Sequence, residues 1–200
     1  MTAKLIIFAK APRPGQVKSR LASSIGEIAA CEAYQKITRL LLDNLHGLEN
    51  VEIRFAPDEA ESEMRKWLGH GYEYAPQGSG DLGERLQRAF QENFSAGNQR
   101  VIVIGSDCPY VTKQDIEAAA NALTLKDVVL GPANDGGYWL MGLRKPQPAL
   151  FQEIPWSSEK VLETTLIRIS EAQLSFQLLH KLHDIDVAED WQKFLRGRSS

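Results

Sequence analysis

Residues 101–109 read VIVIGSDCP, and they decide the centre of the predicted fold. The first four form an unbroken β-branched run, which predicts a buried strand, and the turn that follows ends it because Pro109 cannot continue the strand. A second run, LIIFA at 5–9, stops at a segment rich in proline and glycine. Continuous apolar runs of this length are typical of parallel strands covered on both faces. The two runs therefore predict a largely parallel sheet.

Strand and helix patterns alternate along the rest of the chain. Further strands are predicted at 51–55, 72–75, 127–130, 138–143 and 176–179. Helices are predicted at 28–45, 59–68 and 158–171, after Asp81, from about Thr112, and at the C-terminal end. This alternation predicts an α/β protein of three layers (α/β/α), with a mostly parallel, Rossmann-like sheet and one domain over 1–200. Ligands of such folds bind outside the carboxyl ends of the strands.

Composition excludes several classes of function. The chain has 200 residues and a formal net charge of -3 with scattered basic residues, so no nucleic-acid-binding face is expected. Its two cysteines form no CxxC pair, which argues against a disulfide framework or zinc knuckle and suits a reducing cytoplasm. The run at 5–9 is far too short for a signal peptide or membrane span. We expect a cytoplasmic protein that binds small molecules.

The loop after the first strand, residues 10–20, concentrates positive charge. Arginine and lysine suit phosphate oxygens, and glycine lets backbone N–H groups approach a ligand closely. The loop lacks both the GxxxxGK[ST] and the GxGxxG pattern. We predict a phosphate-binding loop, with a solvated basic loop as the alternative. The candidate residues are Lys10, Arg13, Gly15, Lys18 and Arg20.

Aspartates follow two of the predicted strands. Asp107 comes directly after the strand at 101–104, where a carboxylate can hold Mg²⁺ or Mn²⁺ or cap the next helix. Asp184 and Asp186 follow the last strand, and a spacing of two places both on one side of an extended segment. One of them could complete the metal site, with helix capping as the alternative reading.

Three further loops carry candidate residues. Asp135, within NDGGYW at 134–139, could bind a sugar hydroxyl or act as a base, although NDGG also suits a tight turn. The segment 78–85 opens a helix, where Gly80 and Arg85 either contribute to an anion site or only shape a capped start. Trp156 could stack on a ring or pack internally.

The histidines and cysteines are not expected to take part in catalysis. His180 and His183 lie near the aspartates but lack a partner set for zinc, so we expect structural roles. Cys108 has no evident histidine base, which argues against a thiol nucleophile.

Five segments together resemble one family. They are 8–21 (FAKAPRPGQVKSRL), 80–86 (GDLGERL), 104–109 (IGSDCP), 131–138 (GPANDGGY) and 155–157 (PWS). In this order they resemble the DUF2064 family, also called selenodomain-associated transferase 1, over nearly the whole chain. That family is assigned to the nucleotide-diphospho-sugar transferase superfamily, which implies a GT-A-like fold. It is similar to the guanylyltransferases that act on molybdenum cofactor or 2-phospholactate.

The resemblance implies roles for the candidate residues. The loop at 10–20 resembles a nucleotide-binding loop. Asp107 resembles the metal-binding aspartate of the superfamily, and Asp186 resembles the late aspartate that closes the metal site. Lys10, Arg13, Lys18 and Arg20 would neutralise a diphosphate, and Asp135 would face the acceptor or sugar. Lys18 and Asp135 are the predicted catalytic residues.

We therefore predict a Mg²⁺- or Mn²⁺-dependent transferase that uses a nucleotide-activated donor, with glycosyl transfer from a sugar nucleotide to a small-molecule acceptor as the main reading. The first loop lacks the GGxGxR pattern of nucleotidyltransferases, and SDC at 106–108 replaces the DxD of many glycosyltransferases. Two alternatives stay open: nucleotidyl transfer from an NTP to a phosphorylated acceptor with release of pyrophosphate, and nucleotide binding without catalysis. The apolar helix faces suit an internal core or a homodimer equally.

Overall fold

The predicted alternation of strands and helices is present in the computed structural model, which describes residues 3–197. The strands are β1 (Lys4–Lys10), β2 (Val51–Ala56), β3 (Glu73–Pro76), β4 (Val101–Gly105), β5 (Val128–Pro132), β6 (Tyr138–Leu143) and β7 (Phe176–Leu178). The α-helices are α1 (Ser19–Ile25), α2 (Glu27–Asn44), α3 (Glu61–Leu68), α4 (Leu82–Ser95), α5 (Lys113–Ala122), α6 (Val161–Glu171) and α7 (Ala188–Gly197). A short 3₁₀ helix spans Pro148–Phe151.

One seven-stranded sheet organises these elements, in the order β3-β2-β1-β4-β6-β5-β7. Strand β6 runs antiparallel to β4 and β5, and every other pairing is parallel, so the predicted mostly parallel sheet is confirmed. The chain leaves β1 toward β2 on one side and returns to β4 on the other. This reversal puts the carboxyl ends of β1 and β4 side by side, with Phe8 paired to Gly105. Ligands of open α/β sheets bind at such a switch point.

Both faces of the sheet are covered, which explains the continuous apolar runs. In β1, Leu5 and Ile7 pack toward α2, α3 and α5, whereas Ile6 packs toward α4 and α6. Ile6 and Ile7 are both fully buried, and burying such a side chain stabilises a fold by about 1.5–3 kcal/mol. The central strands therefore form a rigid base for the loops at their ends.

Local signals explain several helix boundaries. Asp81 and Thr112 each form a capping box with the acidic residue three positions later, which confirms the predicted starts of α4 and α5. Helix α1 was not predicted, because its seven residues are too few for a clear periodicity. Gly26, with φ 86, separates it from α2. None of the helices within residues 3–197 has the length and apolar character that crossing a membrane requires.

Candidate active site

The switch point brings together three of the predicted site residues. Lys18 precedes α1, and its Nζ lies 2.7 Å from Asp107 Oδ1 and 2.9 Å from Asp186 Oδ1. Asp107 follows β4, and Asp186 lies 168 positions after Lys18 in the chain. The lysine side chain is only 3% exposed, whereas the two carboxylates are 46% and 39% exposed. One buried ammonium thus pairs with two carboxylates that remain open to solvent.

The electrostatics of this cluster are dominated by negative charge. Burial lowers the pKa of Lys18, but Asp107 and Asp186 outweigh it and the net shift is upward, so the lysine stays charged. Burial raises the pKa of Asp184 to about 7, and repulsion from Asp107, Asp186 and Asp135 adds to the effect while Lys18 opposes it. Four carboxyl groups therefore influence one another around a single ammonium.

A buried tyrosine joins the two loops at the switch point. Tyr34 of α2 accepts a hydrogen bond from the Lys10 backbone N–H at 2.8 Å and donates to the Lys10 carbonyl at 3.1 Å. Its hydroxyl also lies 3.1 Å from Ser106 Oγ, next to Asp107. Burial, together with Asp107, raises the pKa of Tyr34 to about 12, so the phenol stays neutral. The Tyr34 hydroxyl thus ties the end of β1 to the loop after β4.

The loop between β5 and β6 borders the cluster on the opposite side from the first loop. Asp135 Oδ1 accepts a hydrogen bond from Gly137 N–H at 2.9 Å, which confirms the turn reading of NDGG. Asn134 Nδ2 lies 3.3 Å from His183 Nδ1, and His183 Nε2 lies 2.7 Å from Asp190 Oδ1. His183 thus connects the loop that carries Asp135 to the segment that carries Asp186.

Asp190 holds the late aspartate in place. Its Oδ2 accepts hydrogen bonds from the backbone N–H groups of Asp186 and Val187, each at 3.2 Å, just before α7. Burial acts to raise the pKa of Asp190, but these bonds and the one to His183 outweigh it and lower the pKa. Neither Asp190 nor this role of His183 was predicted from the sequence. The spacing of four between Asp186 and Asp190 is the signal that could have indicated it.

The remaining candidates of the first loop are dispersed. Arg13 pairs with Glu59 at 3.1 Å and with Glu63 at 3.0 Å, which attaches the loop to α3 and the residues before it. Lys10 and Arg20 have exposed side chains. Gly15 has φ 78, in the left-handed region that favours glycine, and a Cβ there would lie 3.1 Å from Oε2 of the exposed, flexible Glu27 side chain.

The loop after β3 is held by its own side chains. Gln77 is buried, and its Nε2 donates to the carbonyls of Ala9 at 3.1 Å and Arg54 at 3.0 Å. Arg85 donates to the Gly80 carbonyl at 2.9 Å and to Gln77 Oε1 at 3.3 Å. Gly80 itself has φ 103. Arg85 therefore shapes this loop, and Gln77 joins it to the ends of β1 and β2.

Trp156 and Cys108 both contribute to the interior packing, with Trp156 partly buried. A Cβ on Gly83 would lie 2.4 Å from Trp156 Nε1, so the indole packs against the first turn of α4. Cys108 is buried, and burial together with Asp184 raises its pKa to about 12, which agrees with the expectation that it is no nucleophile.

Asp107 and Asp186 are the candidate ligands for a divalent metal ion. Within residues 3–197, no three His, Cys, Asp or Glu side chains are grouped to hold an ion by themselves. Mg²⁺ in nucleotide sites takes only one or two protein carboxylates and completes its coordination with phosphate oxygens and water. Asp107 and Asp186 each direct one carboxylate oxygen at the Lys18 ammonium, and both side chains are open to solvent. This donor pair fits a hard divalent cation that arrives with a nucleotide.

The fold is that of the nucleotide-diphospho-sugar transferase class. The model of one family, described as "Uncharacterized protein conserved in bacteria (DUF2064)", matches residues 43–158, more than half of the chain. The chain therefore belongs to the DUF2064 family, as the five sequence segments predicted.

Individual relatives agree with this assignment. A phosphoenolpyruvate guanylyltransferase of Chloroflexus aurantiacus is 31% identical over 128 residues, which cover 63% of this chain and 62% of that protein. A crystal structure from Desulfovibrio desulfuricans G20, provisionally described as a nucleotide-diphospho-sugar transferase, is 32% identical with a TM-score of 0.93 and covers 100% of this chain and 89% of that one. The CMP:2-keto-3-deoxy-manno-octonic acid synthetase complexed with CTP shares the fold, at 11% identity and a TM-score of 0.62 over 100% of both chains.

Proposed function

We propose that this protein is a divalent-metal-dependent nucleotidyltransferase that joins a nucleoside monophosphate from an NTP to a phosphorylated small molecule and releases pyrophosphate. The observation that carries the proposal is the convergence of Lys18, Asp107 and Asp186 at the switch point. A guanylyltransferase among the relatives favours GTP as the nucleotide, and a fold neighbour that binds CTP supports an NTP donor. Nucleotidyl transfer is thus better supported than our main sequence-based reading, glycosyl transfer.

The chain's own residues would divide the work as follows. Asp107 and Asp186 hold Mg²⁺ or Mn²⁺, and the bound metal would neutralise the triphosphate and the departing pyrophosphate. Lys18 supplies an ammonium to the α-phosphate oxygens, where negative charge develops as the acceptor phosphate attacks. Lys10, at the end of β1, and Arg20, in the first turn of α1, have exposed side chains and would add positive charge along the phosphates.

Other candidate residues act on the shape of the site. Gly15 and Gly80 allow close approach of backbone N–H groups to the donor. Arg13 and Arg85 contribute indirectly, because their guanidinium groups already hold the loops that line the donor side. Asp135 faces the acceptor side, where its carboxylate belongs to the same electrostatic cluster as Asp184.

Glycosyl transfer is the second candidate function. It is favoured by the Desulfovibrio relative, which matches the whole chain and is provisionally described as a nucleotide-diphospho-sugar transferase. The same cluster would then stabilise a nucleoside diphosphate leaving group. The two reactions differ in their products, because only nucleotidyl transfer releases pyrophosphate.

The test measures these products directly. The protein is incubated with Mn²⁺, phosphoenolpyruvate and each of the four NTPs, and in parallel with a panel of sugar nucleotides, while pyrophosphate and nucleoside diphosphate are quantified. We expect pyrophosphate from GTP with wild type, and a rate lower by about 100-fold in Asp107→Asn. Asp43→Asn is the matched control, because Asp43 is exposed on α2.

Two other results would contradict the proposed nucleotidyl transfer. Nucleoside diphosphate from a sugar nucleotide, without pyrophosphate from any NTP, would replace nucleotidyl transfer by glycosyl transfer. If no nucleotide binds and no product forms, the proposal is wrong in both forms.

A further inference from the structure

The ammonium of Lys18 occupies the point at which Asp107 and Asp186 converge. Its Nζ lies 2.7 Å and 2.9 Å from one oxygen of each, distances typical of charge-assisted hydrogen bonds. The proposed function places the divalent cation between the same two carboxylates. Mg²⁺ there would need their oxygens at about 2.0–2.1 Å, in the position that the ammonium now fills, so the two cations compete for the space between Asp107 and Asp186.

We propose that Lys18 and the divalent cation compete for Asp107 and Asp186, so that metal binding expels Lys18 and delivers its ammonium to the nucleotide phosphates. The inference rests on the proposed function only for the identity of the metal site. It assigns Lys18 two successive partners: the carboxylates before the ligand arrives, and the phosphates afterwards.

The burial pattern provides a path for this exchange. The Lys18 side chain is 3% exposed, whereas Asp107 and Asp186 are 46% and 39% exposed. A hydrated ion can therefore reach the carboxylate oxygens from solvent without first passing the lysine. The lysine, in contrast, cannot leave its carboxylates without losing charge-assisted bonds in a buried position, which is costly unless new partners replace them.

The backbone of Lys18 is also held away from its preferred conformation. Its φ of 50° and ψ of 48° lie in the left-handed region, where a non-glycine residue persists only if its surroundings hold it. No side-chain cap bond is formed at this helix start. The carbonyl of Lys18 accepts a hydrogen bond from Ala22 N–H at 2.8 Å, so the backbone stays anchored to α1, and breaking the ion pairs with Asp107 and Asp186 frees the side chain.

Competition predicts that metal and nucleotide bind with positive coupling. Metal alone must displace Lys18 without offering it a new partner, so its affinity is weakened. A nucleotide supplies phosphate oxygens for the displaced ammonium, so each ligand strengthens the binding of the other. The free site meanwhile avoids two adjacent uncompensated carboxylates.

The first test measures Mn²⁺ binding without nucleotide, from the electron paramagnetic resonance signal of free Mn²⁺. We expect Lys18→Met to bind Mn²⁺ more tightly than wild type by about tenfold or more, because the competing ammonium is gone. Lys145→Met is the control for the change in charge. Lys145 is exposed and follows Leu143, which pairs with Val101 at the opposite end of the sheet.

Addition of GTP should narrow or remove the difference. The phosphates of GTP supply metal ligands in both proteins, but only wild type also gains a partner for the displaced ammonium, so its Mn²⁺ affinity should rise by about tenfold more than that of Lys18→Met. A structural role for Lys18 predicts the opposite pattern, namely weaker Mn²⁺ binding by the variant under both conditions.

A second test keeps the native sequence and so does not depend on the variant's folding. Reductive methylation with peptide mapping should find Lys18 protected in the free protein and reactive in saturating Mg²⁺, with exposed Lys10 as the internal reference. Unchanged protection of Lys18, or Mn²⁺ affinity of Lys18→Met equal to or below that of wild type, would overturn the competition and leave the proposed function standing. Absence of Mn²⁺ binding by wild type, with or without GTP, would overturn the proposed function itself.

Discussion

Tyr34→Phe removes one oxygen atom that connects the two central loops of the site. The hydroxyl accepts from Lys10 N–H at 2.8 Å, donates to the Lys10 carbonyl at 3.1 Å and contacts Ser106 Oγ at 3.1 Å. Tyr34 is only 3% exposed, so water cannot readily replace the lost oxygen. The variant therefore leaves polar groups of Lys10 and Ser106 without their partner.

The magnitude follows from these contacts. A net intramolecular hydrogen bond is worth about 0.5–1.5 kcal/mol, and leaving a buried donor unpaired costs about 1–3 kcal/mol. We expect Tyr34→Phe to lower the free energy of unfolding by about 2–3 kcal/mol. For a chain of this length, that corresponds to a fall in Tm of about 4–12 °C.

Urea denaturation followed by circular dichroism measures this loss, and the fold supplies a matched control. Tyr138 is partly buried, and its hydroxyl oxygen is buried without a hydrogen-bond partner among the described residues. Removing that hydroxyl should leave stability unchanged or raise it by up to about 1 kcal/mol, because an unsatisfied polar group is no longer buried. The same chemical change is thus expected to have opposite effects at two positions.

Equal losses in Tyr34→Phe and Tyr138→Phe would refute the reasoning, since ring packing rather than the hydroxyl would then determine stability. A loss below about 0.5 kcal/mol in Tyr34→Phe would do the same, because a net hydrogen bond is worth at least about that much. In either case Tyr34 could not be described as the connection between the two loops.

Three further outcomes are expected. Gly83→Ala should destabilise the protein by about 1–3 kcal/mol in urea, because the new methyl group meets the Trp156 indole; full stability would mean that the indole moves freely. Asp81→Ala should cost about 1 kcal/mol by removing the capping box of α4, and an unchanged midpoint would contradict that role. Neither Cys31 nor Cys108 should react with Ellman's reagent in the folded protein at pH 8, since burial raises the pKa of both thiols; prompt labelling before denaturation would contradict this.

Much of the fold could be predicted because its signals are local. The apolar runs at 5–9 and 101–104 identify β1 and β4, since a strand covered on both faces needs apolar residues at every position. The capping boxes at Asp81 and Thr112 depend on residues three positions apart and are equally local. Helix α1 was not predicted, because seven residues bordered by a glycine show too little helical periodicity.

The buried charged residues of β1 and β2 could not be predicted from the local sequence. Lys4, Glu52 and Arg54 lie in the paired strands β1 and β2 with at most 6% exposure, and they are stabilised by ion pairs with one another and with exposed carboxylates of β3 and α4. Residue type alone would place these side chains at the surface. Only the pairing of the strands reveals the partners that make their burial tolerable.

The candidate site likewise combines features that the sequence predicts with contacts that only the folded structure shows. The sequence by itself determined that Lys18, Asp107 and Asp186 lie in loops after strands, because chain order and element type fix which end of the sheet a loop occupies. Only the tertiary structure decided that Lys18 contacts both aspartates, that Arg13 and Arg85 hold loops, and that Tyr34 and Asp190 support the cluster. The physical reason is range: helix and strand patterns depend on neighbours a few residues away, whereas an ion pair across 168 positions depends on which strand ends are adjacent.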